Sequence, residues 1–209
     1  MPPRFSRLAA RQLARPRGLL GGKAMDTLDR SNAGRIATCV EAAAPRKDAT
    51  TADVGFGGGV GLRTLLDAGA GHVHGIELSS AARGRARKRF RAEIADGRLA
   101  VHEGTLQSMP LPDGTLDALI STNTVYFVPD LAPVATELAR VLAPGGRAVL
   151  GIADSGRMRE IGMPLHGFTL RPVDEIVEAL TADGALRVVR RDQLDDIVDF
   201  TVLVLEPVT

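Results

Sequence analysis

A chain of 209 residues with one cysteine, one tyrosine and no tryptophan lacks much of the chemistry that whole classes of function require. With Cys39 alone no internal disulfide can form, which suits a reducing compartment, so a cytoplasmic location is expected. Cys39 itself falls on an apolar helix face, where a small core residue is favoured over a nucleophile. The four histidines and single cysteine show no paired ligand spacing of the C-x-x-C or H-x-x-x-H kind. No metal is therefore expected. No stretch approaches the ~20 consecutive apolar residues of a membrane-spanning helix. No internal repeat and no long Gly/Ser/Pro linker divides the chain. Its length suits one domain that buries about 70% of its unfolded surface. An excess of one charge is also lacking, since the net charge is +1. That argues against a protein built around a polyanion.

The positive charges are nevertheless clustered. Arg4, Arg7, Arg11, Arg15, Arg17 and Lys23 precede the first acidic residue, Asp26. Such a start resembles an organellar transit sequence. The favoured alternative is a helical cap over residues 1–45, with Leu8, Leu13, Leu19 and Leu20 as docking positions. A second run, Arg83, Arg85, Arg87, Lys88, Arg89 and Arg91, reads as the solvated face of a helix. Nucleic-acid binding would want aromatic or groove-reading residues beside these runs, and neither nucleic acid nor a membrane is an expected partner.

What the chain does contain is strand patterns alternating with helix patterns, which predicts an α/β fold with a mostly parallel sheet covered on both faces. Helices are expected over Phe5–Ala14, Ser31–Ala43, Val60–Ala68, Ser80–Ala95, Leu131–Leu142 and Pro172–Asp183. Strands fit Thr51–Val54, His72–Glu77, Leu99–Glu103, Asp117–Thr122, Arg147–Ile152, Ala185–Arg191 and Asp199–Leu205. Between the first strand and the helix after it stands Asp53-Val54-Gly55-Phe56-Gly57-Gly58-Gly59. Alternate glycines let the backbone turn out of the strand and approach a ligand closely. Asp53 puts a carboxylate where a phosphate-binding loop would want backbone donors and a helix N-terminus. The dinucleotide fingerprint G-x-G-x-x-G/A also fails, because its third position is Val60 or Leu62 in the two possible registers. A tight turn with no ligand is the alternative reading of the loop taken alone.

Further motifs follow in order. His72-Val73-His74-Gly75-Ile76-Glu77-Leu78 ends a second strand in a carboxylate, where an α/β nucleoside site puts the acceptor for two ribose hydroxyls. Leu99 to Thr105, Met109 to Ile120, and Glu137-Leu138-Ala139-Arg140-Val141-Leu142-Ala143-Pro144-Gly145-Gly146-Arg147 complete the series. In this order and spacing, from about Thr51 to Ile152, the chain resembles the class I S-adenosylmethionine-dependent methyltransferases. It is similar to the small bacterial methyltransferase-11 group that includes the ubiquinone/menaquinone C-methyltransferases. The resemblance implies a Rossmann-like seven-stranded sheet with its last strand antiparallel, between the fifth and sixth, in one domain spanning residues 1–209 with its core over 46–209. It implies S-adenosylmethionine as cofactor, held by Asp53, Gly55, Phe56, Gly57 and Gly59 at the first strand. Glu77 and Leu78 would follow at the second, Gly104, Thr105 and Leu106 at the third, and Asn123 at the fourth. Thr105 departs from the family's usual Asp, so the adenine amino group would turn to its hydroxyl, a neighbouring carbonyl or water.

Substrate chemistry is expected outside these loops. Residues 154–168 form the candidate lid, and His166 within it is a candidate base for a hydroxyl, against the reading of a loop histidine with no role. Tyr126 is the second catalytic candidate. With Phe127 it either walls the acceptor pocket or packs under the next helix. Asn123 and Tyr126 match the outer positions of the N-P-P-Y motif but lack its prolines, which argues against an amino-group acceptor. The implied reaction is in-line methyl transfer to a small, largely apolar acceptor through an O, C or N atom. A non-catalytic cofactor-binding or scaffold module is the alternative, and a homodimer is left open.

Overall fold

The computed structural model describes residues 32–160, 167–195 and 199–208, without the Arg157 side chain. The expected N-terminal helix and its leucine docking positions, and residues 161–166 of the candidate lid with His166, lie outside the described residues. A first helix, α1, covers 32–43. It is followed by β1 (Thr50–Val54), α2 (Val60–Asp67), β2 (His72–Ile76), α3 (Ser80–Arg89), α4 (Arg91–Ala95), β3 (Leu99–His102) and β4 (Leu116–Thr122). A short 3-10 turn (Val125–Phe127) leads to α5 (Ala132–Val141), β5 (Leu142–Ala153), α6 (Ser155–Glu160), α7 (Val173–Thr181), β6 (Leu186–Leu194) and β7 (Phe200–Pro207).

The seven strands form one sheet in the order β3-β2-β1-β4-β5-β7-β6. The first five are parallel, and β7 runs antiparallel to both β5 and β6. Their sequences explain this burial. The run Ala118-Leu119-Ile120 of β4 is nearly solvent-free, as are Val149 and Leu150 of β5, because helices cover a parallel sheet on both faces. β1 and β4 lie side by side although a crossover separates them in sequence, so strand order reverses at the β1 carboxyl end. That reversal opens a crevice where ligands bind in open α/β sheets.

Three of the departures from the sequence expectation have a local reason. The helix expected over Ser80–Ala95 is broken at Phe90 (φ −106°, ψ 31°), whose wholly buried ring fixes the bend between α3 and α4. β5 starts at Leu142 rather than Arg147, because Leu142 already pairs with Leu116. The register then jumps to Ala118 with Arg147, and the intervening Pro-Gly-Gly residues take up the slack. Pro172 precedes α7 as its N-cap rather than opening it, since its ψ of 150° is extended. Among the described residues no helix is long and apolar enough to cross a membrane.

Candidate functional site

The β1 exit is shaped by backbone that only glycine adopts readily. Gly55, Gly57 and Gly59 have φ of 74°, 52° and 85°. Gly55 donates its N–H to the Ile76 carbonyl at 2.7 Å, tying the loop to β2. A Cβ at Gly55 would lie 2.5 Å from Thr124 Oγ1, so close approach as well as torsion requires glycine there. Asp53, 5% exposed, directs its carboxylate toward the first turn of α2. A Cβ on Gly61 would overlap that carboxylate. Gly61 was not among the expected site residues, although it continues the alternation of glycines beyond Gly59.

Glu77 follows β2 and joins two loops. Its carboxylate accepts the Gly57 N–H at 3.1 Å and the Ser79 N–H at 2.8 Å. Ser79 in turn caps α3 by accepting from Ala82 N at 3.3 Å. Two carboxylate oxygens offer about four acceptor sites, so capacity remains for donors from a ligand. Leu78 beside it is 59% exposed, an apolar side chain left open at the β2 exit. At the β3 exit Thr105 exchanges backbone hydrogen bonds with Ser108 (3.0 and 3.2 Å), and its hydroxyl accepts from Gln107 N at 3.2 Å. Gly104 is held against Ile76 and Ser108, where a Cβ would be under 3 Å from both. Leu106 is 1% exposed and belongs to the core beneath this turn.

A pocket between α1, β1 and β4 is lined by Asn32, Ile36, Asp53, Gly55, Phe56, Gly57 and Thr122. It brings together Asp53, Gly55, Phe56 and Gly57 of the expected residues, while Gly59, Asn123 and those at the β2 and β3 exits lie outside its lining. Asn32, Ile36 and Thr122 were missed; the only sequence signal was their place at a helix start and a strand end. Among the described residues no Lys or Arg lines this pocket, and the one ionisable side chain in its lining is Asp53. Such a donor set suits a cationic ammonium or sulfonium ligand and is wrong for a phosphate.

Residues 52–150 match the family model described as "Methyltransferase domain". This stretch is a methyltransferase domain of the class I S-adenosylmethionine-dependent kind. It is similar to the 27-O-demethylrifamycin SV methyltransferase of Amycolatopsis mediterranei (strain S699), 31% identical over 121 residues, 53% of this chain and 44% of that protein. The chain thus spans under half the length of this relative. In fold the chain resembles geranyl diphosphate C-methyltransferase from Streptomyces coelicolor A3(2), solved with S-adenosyl-L-homocysteine (TM-score 0.70, 18% identity, 95% of this chain and 87% of that chain). It also resembles the [4+2]-cyclase SpnF (TM-score 0.69, 15% identity, 86% of this chain and 82% of that chain).

Beyond these loops, Asn123 is held at φ 57°, with its N–H donated to the Gly151 carbonyl at 2.8 Å. Asn123 Nδ2 lies 3.5 Å from Asn32 Oδ1 and its Oδ1 lies 3.4 Å from the Tyr126 hydroxyl, a loose chain reaching from α1 to the β4 exit. The Tyr126 hydroxyl donates to the Ala153 carbonyl at 2.9 Å, and the side chain is 1% exposed. Burial pushes its pKa well above the ordinary tyrosine value, partly offset by that hydrogen bond. Tyr126 is thereby held protonated and turned to backbone, a setting that positions β4 against β5 and does not suit proton abstraction. Phe168 stacks on Tyr126 at 5.9 Å between centroids and packs on Phe127 at 4.7 Å. Phe127 remains 41% exposed. Cys39 is fully buried under the pocket beside Thr122, and burial pushes its thiol up to about 11, which fits a core residue.

Proposed function

We propose that the protein transfers a methyl group from S-adenosylmethionine to a small, largely apolar acceptor, through an oxygen, carbon or nitrogen atom. The observation that carries this reading is the pocket at the sheet's reversal point, with a buried carboxylate and, among the described residues, no basic side chain in its lining. When bound there, the cofactor supplies an electrophilic sulfonium methyl group whose sulfur leaves as a neutral thioether. Asp53 faces the methionine end as acceptor for its ammonium group, directly or through water. Glu77 takes the ribose hydroxyls, and Leu78 lies under the base. The glycine loop lets the backbone close on the ligand without side chains intervening.

Positioning supplies most of the acceleration in such a transfer, since a well-oriented pair gains on the order of 7–11 kcal/mol over free encounter. No nucleophile dyad is needed. The Tyr126–Phe127–Phe168 aromatic group beside the β4 exit supports an apolar acceptor wall, because aromatic rings dominate small-molecule pockets. The relatives that act on rifamycin oxygen and geranyl diphosphate carbon support a small-molecule class without naming the acceptor. A second reading is cofactor binding without methyl transfer, which the buried, backbone-bonded Tyr126 hydroxyl favours.

Calorimetry tests the first step: binding of S-adenosylmethionine and S-adenosylhomocysteine, and none of NAD or NADP, is expected. Methyl-labelled cofactor with a panel of hydrophobic small molecules, a protein tail and RNA tests the second. Faster labelling of RNA or protein than of any small molecule would reject the acceptor class. Cofactor binding with no labelled product from any acceptor would favour the second reading.

A further inference from the structure

The basic run after β2 is not uniform. Arg85, Arg87, Lys88, Arg89 and Arg91 are exposed, whereas Arg83 is 8% exposed. Arg83 stands in the first turns of α3, where the helix dipole disfavours a cation. A buried guanidinium in that position needs compensating partners, and it has them. Nη1 donates to the Glu77 carbonyl at 2.8 Å and to the Leu78 carbonyl at 2.7 Å. Nη2 pairs with the Glu103 carboxylate. The two carbonyls lie just past the end of β2, beyond the reach of the sheet ladder, and Glu103 lies just past β3.

We propose that Arg83 is a positioning residue for the nucleoside half of the cofactor, acting through the backbone of Glu77 and Leu78 and through Glu103. The planar guanidinium offers donors in a fixed fork, so one side chain sets the direction of two consecutive peptide units and ties them to the neighbouring strand exit. Those peptide units carry the carboxylate proposed for the ribose and the exposed leucine proposed under the base. Without the fork, Leu78 would keep its exposure but lose its bearing. A lysine has one nitrogen and cannot reach both carbonyls and Glu103 in the same geometry. The inference rests on the proposed ribose role of Glu77, and the experiment separates the two.

S-adenosylhomocysteine and 5′-methylthioadenosine, which keeps the nucleoside and lacks the amino-acid end, are titrated calorimetrically into wild type, R83M, R83K, E77Q and R83M/E77Q. Thermal melts show that each variant is folded at the titration temperature. R83M is expected to weaken both ligands by the same factor, on the order of tenfold, with R83K intermediate. The double variant is expected to lose little beyond E77Q alone, because coupled residues are non-additive, whereas a residue that only stabilises the fold gives independent losses. Unchanged affinity in folded R83M, a loss confined to S-adenosylhomocysteine, or full additivity with an E77Q that itself weakens binding would overturn the proposal. Should R83M fail to fold, R83K decides, and wild-type affinity for both ligands in R83K would overturn it. An unchanged E77Q would reject the ribose role of Glu77 alone, and the R83M result would still stand or fall by the matched loss on both ligands.

Discussion

At Asp53 the decisive neighbour is a glycine. Because a Cβ on Gly61 would overlap the Asp53 carboxylate, Gly61→Ala should displace that carboxylate or push α2 away from β1. We expect a loss of about 1–3 kcal/mol in urea denaturation, as for other overpacked sites, together with weaker cofactor binding. Equal stability and affinity in the variant would mean that the carboxylate moves freely and does not anchor the ligand. Gly57 makes a different case, since its φ of 52° is one that β-branched residues rarely adopt. Gly57→Val should abolish cofactor binding while circular dichroism keeps its helix and strand signals. Loss of the folded spectrum would assign the glycine to architecture and not to the ligand.

At the scale of elements, α5 braces a turn rather than a catalytic group. Arg140 donates to the carbonyls of Met109 and Leu111 and pairs with Asp113 and Glu137, while Glu137 accepts the Met109 N–H. The family-like E-x-x-R passage thus holds the helix-free crossover between β3 and β4 against α5. Arg140→Ala should cost about 1–3 kcal/mol of stability by leaving those carbonyls unmatched, with cofactor affinity changed little. A purely catalytic defect at full stability would contradict the brace. On the β2–β3 edge, His74 Nδ1 lies 3.1 Å from His102 Nε2, and its ring is 4.4 Å from His72. Burial lowers His74 to about 4, helped by the charges of His72 and His102, and His102 is lowered by burial, His72 and Arg87. A depressed histidine means that the unfolded chain takes up protons that the folded chain refuses. Its stabilising contribution is therefore whole above about pH 6.5 and declines as pH falls toward about 4. The urea midpoint should drop across that window more steeply in wild type than in His74→Asn; equal slopes would remove His74 from the pH response.

For the whole molecule, a ligand seated at the sheet's reversal point binds only the folded chain and should raise its melting temperature. At a hundredfold excess over Kd, S-adenosylhomocysteine should add about 2.7 kcal/mol of stability, and NADP none. A flat thermal response to the sulfur nucleoside would remove the cofactor from this pocket. Much of this architecture was legible in the sequence, because period and punctuation are local properties. The apolar runs of β1, β4 and β5, the Asp53–Gly59 loop and the carboxylate at Glu77 each carry their signal within a few residues. The strand order, with β7 between β5 and β6, followed from a family resemblance that those local motifs supported. Tertiary structure alone decided what depends on distant partners. It turned the Tyr126 hydroxyl to the Ala153 carbonyl, sank Arg83 out of an otherwise solvated basic run, and brought Asn32 and Ile36 of α1 over the β1 loop. A tyrosine reads the same in sequence whether its proton meets a substrate or a buried carbonyl, and an arginine whether it meets water or three acceptors. The difference is set by which atoms folding brings within about 3 Å, and no local pattern encodes that.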